Sequence, residues 1–291
     1  MKPPPFEYHL ARSVPEAVGL LSRLHNAKVL AGGQSLMAML NLRYVHPDHL
    51  IDINRIPELD RIEIRDGVLR IGAMVRQRRI ETSAEVRRSA PILCEALQHV
   101  GHRQTRNRGT LGGSLCHLDP SAELPALALL YGATVHVAGP SRSRAIAMAD
   151  FMDSYMTASI ASDELVTAVD FPIWDERHGH GFCEFARRRG DFAIAAAGCL
   201  MERGPDGGIG RIALAVAGVE AVPVRLAEAE AMLRHQAGSE DVFAAAAEQC
   251  RSLKAIGDVH GSAEYRKKVA SAMVRRSLAS AWERSARGRG R

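Results

Sequence analysis

Ala31-Gly32-Gly33-Gln34-Ser35-Leu36 and Thr110-Leu111-Gly112-Gly113-Ser114-Leu115 decide how this chain is read. Each places small residues and hydroxyls directly after an apolar or helical stretch, where backbone N–H groups can turn together toward an anion. Either segment alone reads equally well as a tight turn that needs one glycine at positive φ. The second, however, continues into His117-Leu118-Asp119-Pro120-Ser121-Ala122-Glu123-Leu124-Pro125, where carboxylates and a histidine precede the apolar Ala126 to Tyr131. A turn does not require that composition.

Working outward, Ser13 with Glu16 three positions on predicts a capped helix over 14–25. Lys28 to Ala31 reads as a short buried strand feeding the first glycine segment, so the order is helix, strand, loop. That is not the strand–GxGxxG–helix order of a dinucleotide-binding unit. A strand is expected at 49–53, and 62–72 alternates around Asp66-Gly67 as a hairpin. Helices are expected at 82–88, 91–100, 125–130 and 150–157, with strands at 134–138 and 164–171. Pro, Asp, Gly and His cluster between 172 and 180 and mark a boundary. Beyond it, strands at 192–201 and 210–218 flank a turn at 203–208, and helices are expected at 226–235, 242–254 and 262–286. The pattern is α+β, with mixed sheets in place of repeated βαβ units and no internal repeat.

The 291 residues suffice for two domains, and 46% hydrophobic with 24% charged content is that of a soluble globular chain. No apolar run reaches the ~20 residues that span a bilayer, and the N-terminus shows no secretory h-region. A cytoplasmic location is expected, with any inner-membrane association made through partners. Cysteines at 94, 116, 183, 199 and 250 are odd in number and scattered, which fits reduced thiols. They cannot supply the clustered thiolates of an iron–sulfur centre. The net charge of +5 comes from arginine clusters spread along the chain with few aromatics and no nucleic-acid module, so solvated faces and subunit contacts are the plainer reading.

AGGQSL followed by Asn41-Leu42-Arg43, and then Arg106 to Pro125, resembles the FAD-binding medium subunit of the molybdenum hydroxylases, the carbon monoxide dehydrogenase and xanthine dehydrogenase family. Gly190-Asp191-Phe192-Ala193 is similar to the family's GD(F/Y)A segment, and Asp258 to Arg266 to its DxHGSAxYR segment. The motifs stand in the family's order along nearly the whole chain. The resemblance implies a PCMH-like FAD-binding domain of two α/β subdomains, about 1–56 and 57–175. A C-terminal α+β domain with a small antiparallel sheet and helices is expected at 176–286, with a frayed tail at 287–291.

It further implies that Gly32, Gly33, Gln34 and Ser35, flanked by Leu30, Ala31 and Leu36, line one side of the FAD pyrophosphate, with Thr110, Gly112, Gly113 and Ser114 on the other. Asp119 would accept from ribityl or ribose hydroxyls, joined by His117, for which a satisfied half-buried histidine is the alternative. Asp191, Phe192 and Leu165 would neighbour the isoalloxazine; core packing is the alternative for Phe192 and more so for Leu165. Asn107 and Gly109 would shape the second segment, and the Asp258 to Glu264 stretch reads as a helix cap. No catalytic residue and no metal ligand is assigned. By the same resemblance, redox chemistry would belong to FAD in this chain, with molybdopterin-molybdenum and [2Fe–2S] clusters on a large and a small partner subunit, in a heterohexamer that passes electrons to a terminal acceptor. Two other readings stay open: a stand-alone FAD-dependent oxidase or reductase of the same superfamily, and a non-catalytic subunit with a decayed site.

Overall fold

A computed structural model describes residues 2–287. The chain begins with β1 (Glu7–Leu10), α1 (Val14–Arg23), β2 (Ala27–Leu30), α2 (Leu36–Asn41) and β3 (His49–Asp52). The three strands pair in the order β1-β3-β2, all parallel. Ser13 caps α1 as its sequence predicts: its Oγ accepts from the N–H of Glu16 at 3.3 Å, while Glu16 Oε2 accepts from the N–H of Arg12 at 2.7 Å. Ala17, Val18 and Leu21 of α1 pack with Ile51 and Ile53, which closes a first core.

The second unit runs through β4 (Ile62–Arg65), β5 (Val68–Gly72), α3 (Gln77–Thr82), α4 (Ala84–Ser89), α5 (Pro91–Ala96), α6 (Arg103–Arg108), α7 (Leu111–His117) and α8 (Glu123–Tyr131). It continues with β6 (Thr134–Ala138), β7 (Ser143–Ala147), α9 (Met148–Phe151), β8 (Met152–Ser154), β9 (Thr157–Ala158) and β10 (Leu165–Pro172). An antiparallel sheet ordered β4-β5-β10-β6-β7 results, with β8 and β9 as a separate hairpin. The β4–β5 turn forms as expected, Asp66 and Gly67 both taking positive φ.

Four expectations change here. The second glycine segment is not a loop: Thr110 is the N-cap of α7, and Gly112 and Gly113 lie in its first turn. The helix expected at 82–88 is broken at Ser83, whose hydroxyl caps α4 and so ends α3. Residues 150–157 are mostly the β8–β9 hairpin, because Phe151 is drawn into the core while its neighbours pair. The strand expected from Phe192 starts only at Ala195.

Last come β11 (Gly179–Phe185), β12 (Ala195–Arg203), β13 (Ile209–Ala217), β14 (Val224–Arg225), α10 (Ala227–Leu233), α11 (Glu240–Ala247) and α12 (Ala263–Arg287). These strands pair antiparallel in chain order. Alternation along β12 and β13 makes both faces of this sheet apolar. Ala196, Leu200, Ala213 and Ala215 join the core around α8, whereas Cys199, Met201, Ile212 and Leu214 pack with α10 and α12. Every residue of α8 is buried, as a helix apolar on all sides must be. Residues 288–291, most of the expected frayed tail, lie outside the described residues. No helix among those described is long and apolar enough to cross a membrane.

Candidate functional site

The two glycine segments meet backbone to backbone. A Cβ on Gly32 would fall inside contact distance of the Arg108 carbonyl and 2.9 Å from the Gly109 Cα, so only glycine admits this approach. Ala31 sits across from Gly113, whose added Cβ would lie 3.8 Å from the Ala31 methyl. On the far side, a Cβ on Gly112 would lie 2.7 Å from that of Ala73. Gly32 and Gly112 therefore serve packing of the protein against itself.

The free backbone donors are distributed unequally. In the second segment, the Leu111 and Gly112 N–H groups donate to the carbonyls of Val75 and Ala73, the Gly113 N–H to Thr110 Oγ1, and the Ser114 N–H to the Thr110 carbonyl. In the first, the N–H groups of Gly32, Gly33, Gln34, Ser35 and Leu36 have no acceptor among the described residues. Gly33 has φ +74°, a left-handed conformation that turns the chain and bunches these amides. The two segments therefore differ: the first offers free amides, and the second has spent its first amides on holding itself in place. Leu30 ends β2, its carbonyl accepting from the Ile53 N–H at 3.2 Å. Exposed Gln34 donates back to the Gly32 carbonyl at 3.4 Å, and Ser35 precedes Leu36 at the start of α2 with no cap bond from its hydroxyl.

Behind this contact stands a strut that the sequence did not reveal. Asn54 Nδ2 donates to the Ala31 carbonyl at 2.9 Å and to Asp52 Oδ1 at 2.6 Å. Arg76 donates through Nη2 to Asn54 Oδ1 and through Nη1 to the Arg108 carbonyl, each at 2.5 Å. One residue pair therefore clamps both segments. Arg76 makes no ion pair among the described residues, and its pKa is lowered by burial and then by neighbouring Arg108. Asp60 and Asp52 pull the other way and offset part of that charge, and the guanidinium carried close to the free amides suits an anion. A cavity of about 240 Å³ opens beside the strut, lined by Asn54, Arg55, Ile56, Pro57, Asp60, Met74 and Arg76. Arg106 fixes the approach: its guanidinium donates to Glu81 Oε2 at 2.9 Å and to the Val100 carbonyl at 3.0 Å, which seats α6 on α3.

Past α7, Leu118 takes φ 49° and turns the chain into Asp119, whose Oδ1 accepts from the Ser121 N–H at 2.8 Å. Neither ring nitrogen of half-buried His117 has a hydrogen-bond partner among the described residues. Burial lowers the His117 pKa, against the opposing pull of Asp119. Leu165 is buried among Met74, Ala138 and the first core. Phe192 is 75% exposed at the tip of the loop before β12, which removes its core-packing alternative. That loop is tied to the site's approach, since Gly190, at φ +86°, leaves no room for a Cβ against the His102 ring at the head of α6. With six residues and about 1.5 Å rise each, α6 sets roughly 9 Å between this loop and the glycine contact.

Two acids lie below the Asp119 turn. Burial and then the facing carboxylate of Glu184 push the pKa of Glu123 up, and burial does the same for Glu184. Burial and the like charge of the facing carboxylate favour the protonated form of the pair.

Comparison with known proteins fits this geometry. Residues 4–174 match the family described as the FAD binding domain in molybdopterin dehydrogenase, and 180–281 match the CO dehydrogenase flavoprotein C-terminal domain. The 6-hydroxypseudooxynicotine dehydrogenase complex subunit alpha of Paenarthrobacter nicotinovorans is 40% identical, covering 98% of this chain and 97% of its own. The carbon monoxide dehydrogenase medium chain of Hydrogenophaga pseudoflava is 35% identical over 98% and 100%. Among solved structures, a carbon monoxide dehydrogenase from the same organism superposes with TM-score 0.95 at 36% identity over 98% of this chain and 99% of its own. Quinoline 2-oxidoreductase from Pseudomonas putida 86 gives 0.94 at 34% over 97% and 99%. Fold and site thus define a flavin-binding oxidoreductase subunit. The chain belongs to the FAD-binding medium subunits of the molybdenum hydroxylases.

Proposed function

We propose that this chain takes electrons from [2Fe–2S] clusters of a small partner subunit and passes them, through FAD, to a terminal acceptor, while a large molybdenum subunit oxidises the substrate. The observation that carries the reading is the run of unpartnered amides from Gly32 to Leu36 backed by the Arg76 charge. FAD supplies the capacity to accept electrons singly and release them in pairs. The residues of this chain bind and orient. The amides of Gly32 to Leu36 would take the pyrophosphate, and the hydroxyls of Ser35 and Ser114 would face it from either segment. Asp119 and His117, with free polar atoms, would take ribityl or ribose hydroxyls. Asp191 and Phe192 would border the isoalloxazine and limit water at its reactive edge, with Leu165 packing from the sheet side.

The organisation proposed with this reading is a FAD-binding domain at 1–175, with subdomains about 1–56 and 57–175, and a C-terminal domain at 176–286. Assembly is as a heterohexamer with two copies of each subunit. A complex stripped of its flavin tests the role. Its iron–sulfur clusters should still be reduced by substrate while turnover with the acceptor stops, and both should return on adding FAD. Undiminished turnover without flavin would remove the electron-transfer role.

A further inference from the structure

We propose that Glu7, His9 and His49 form a site for one divalent transition-metal ion of the zinc class, distinct from the flavin site. His9 Nε2 and His49 Nδ1 face each other at 3.1 Å, and the Glu7 carboxylate reaches them at 3.8 Å and 3.5 Å. All three ligand atoms lie within 4.8 Å of one another. Parallel pairing creates the cluster: Glu7 on β1 is opposite His49 on β3, and His9, two residues on, returns to the same face. Nothing in the sequence spacing announces it, since the ligands come from strands forty residues apart.

The geometry suits such an ion. With metal–nitrogen and metal–oxygen bonds of about 2.0 to 2.2 Å, the 3.1 Å between the ring nitrogens corresponds to an angle of roughly 100° at the ion, and the 3.5 Å from His49 to Glu7 Oε2 to roughly 115°, either side of the tetrahedral value. Two imidazoles and one carboxylate are a borderline-soft donor set that favours zinc, nickel or copper over calcium or magnesium. The imidazoles are 18% and 20% exposed and the carboxylate 67%, so the rings are held while a fourth position opens to water. The outer ring nitrogens have no partner among the described residues, and without that support the ion binds exchangeably. Its effect is to fasten the edge strand β1 to β3, at the end of β3 opposite Asp52 and the Asn54 strut.

The competing account is a hydrogen bond between two neutral rings with no ion. Equilibrium dialysis of untagged, chelator-treated full-length chain against micromolar ZnCl2 separates the two. One zinc per chain is expected, with a zinc-dependent rise in melting temperature. Affinity should fall by about a hundredfold in His9→Ala or His49→Gln, and by about tenfold in Glu7→Gln, where the exposed carboxylate is lost with no risk to the fold. FAD content should not change in any variant. No saturable binding by the wild type, or equal zinc content in wild type and a folded His9→Ala/His49→Gln double variant, would leave only the hydrogen bond and overturn the site.

Discussion

Arg76 and Asn54 join the two glycine segments: the guanidinium donates to Asn54 Oδ1 and to the Arg108 carbonyl, while the amide of Asn54 holds the Ala31 carbonyl at 2.9 Å. Removing Arg76 leaves two acceptors unpaired, at about 1–3 kcal/mol. Arg76→Met should therefore weaken FAD binding by about tenfold or more, with Arg76→Lys recovering the charge but not the two-pronged contact. Fluorescence titration of the flavin-free protein measures this. An unchanged affinity in folded Arg76→Met would show that the segments hold their spacing without the strut.

Glycines of the two segments should fail differently. Gly112→Ala drives a methyl against Ala73, an overpacking that costs about 1–3 kcal/mol whether or not flavin is bound. Gly33→Ala meets only side-chain atoms, Met37 Cγ at 3.3 Å and Leu30 Cδ1 at 3.4 Å, which must give slightly, but it must also hold φ +74°, at about 1–2 kcal/mol, and relaxation of that strain turns the free amides away. Melting temperatures with and without FAD should fall together for Gly112→Ala, whereas Gly33→Ala should lose chiefly the increment that FAD adds.

Stability should also report the Glu123 and Glu184 pair. Their pKa values are raised in the fold above the ordinary value of 4.5, so the native state holds protons that the unfolded chain releases. The contribution is fully present below about pH 4.5 and is lost as pH rises through the raised native values. Glu184→Gln, which supplies a neutral partner at every pH, should reduce the decline in denaturant midpoint as pH rises from about 4.5 through the raised native values. A parallel decline in the variant would place the titration elsewhere.

Phe192 is exposed and makes no backbone contribution to the amide wall. Phe192→Ala should keep the fold and most of the FAD affinity, while admitting water to the ring and shifting both the flavin midpoint potential and its reoxidation rate. Redox titration and stopped-flow reoxidation check it. Unchanged values in an FAD-replete variant would detach the Gly190 to Ala193 loop from the flavin ring.

Much of the fold was legible because local chemistry announced it: the Ser13 cap, the Asp66-Gly67 turn, and the strand at 134–138, which forms over that range. Misreadings came where tertiary contacts overrode local pattern. Thr110-Leu111-Gly112-Gly113 looks like a loop because two glycines weaken a helix, yet Ala73 and Val75 accept the first amides and Thr110 caps the turn. Arg76 sat in an arginine cluster indistinguishable from a solvated face, and Asn54 followed an ordinary strand. Neither carries a signal without knowing that their partners are the Arg108 and Ala31 carbonyls.

The most direct test is the cofactor itself. Acid extraction and chromatography of the flavin from the native complex, purified with its partner subunits, should give one FAD for each copy of this chain. Release of FMN alone, or of no flavin from an intact complex, would contradict the account.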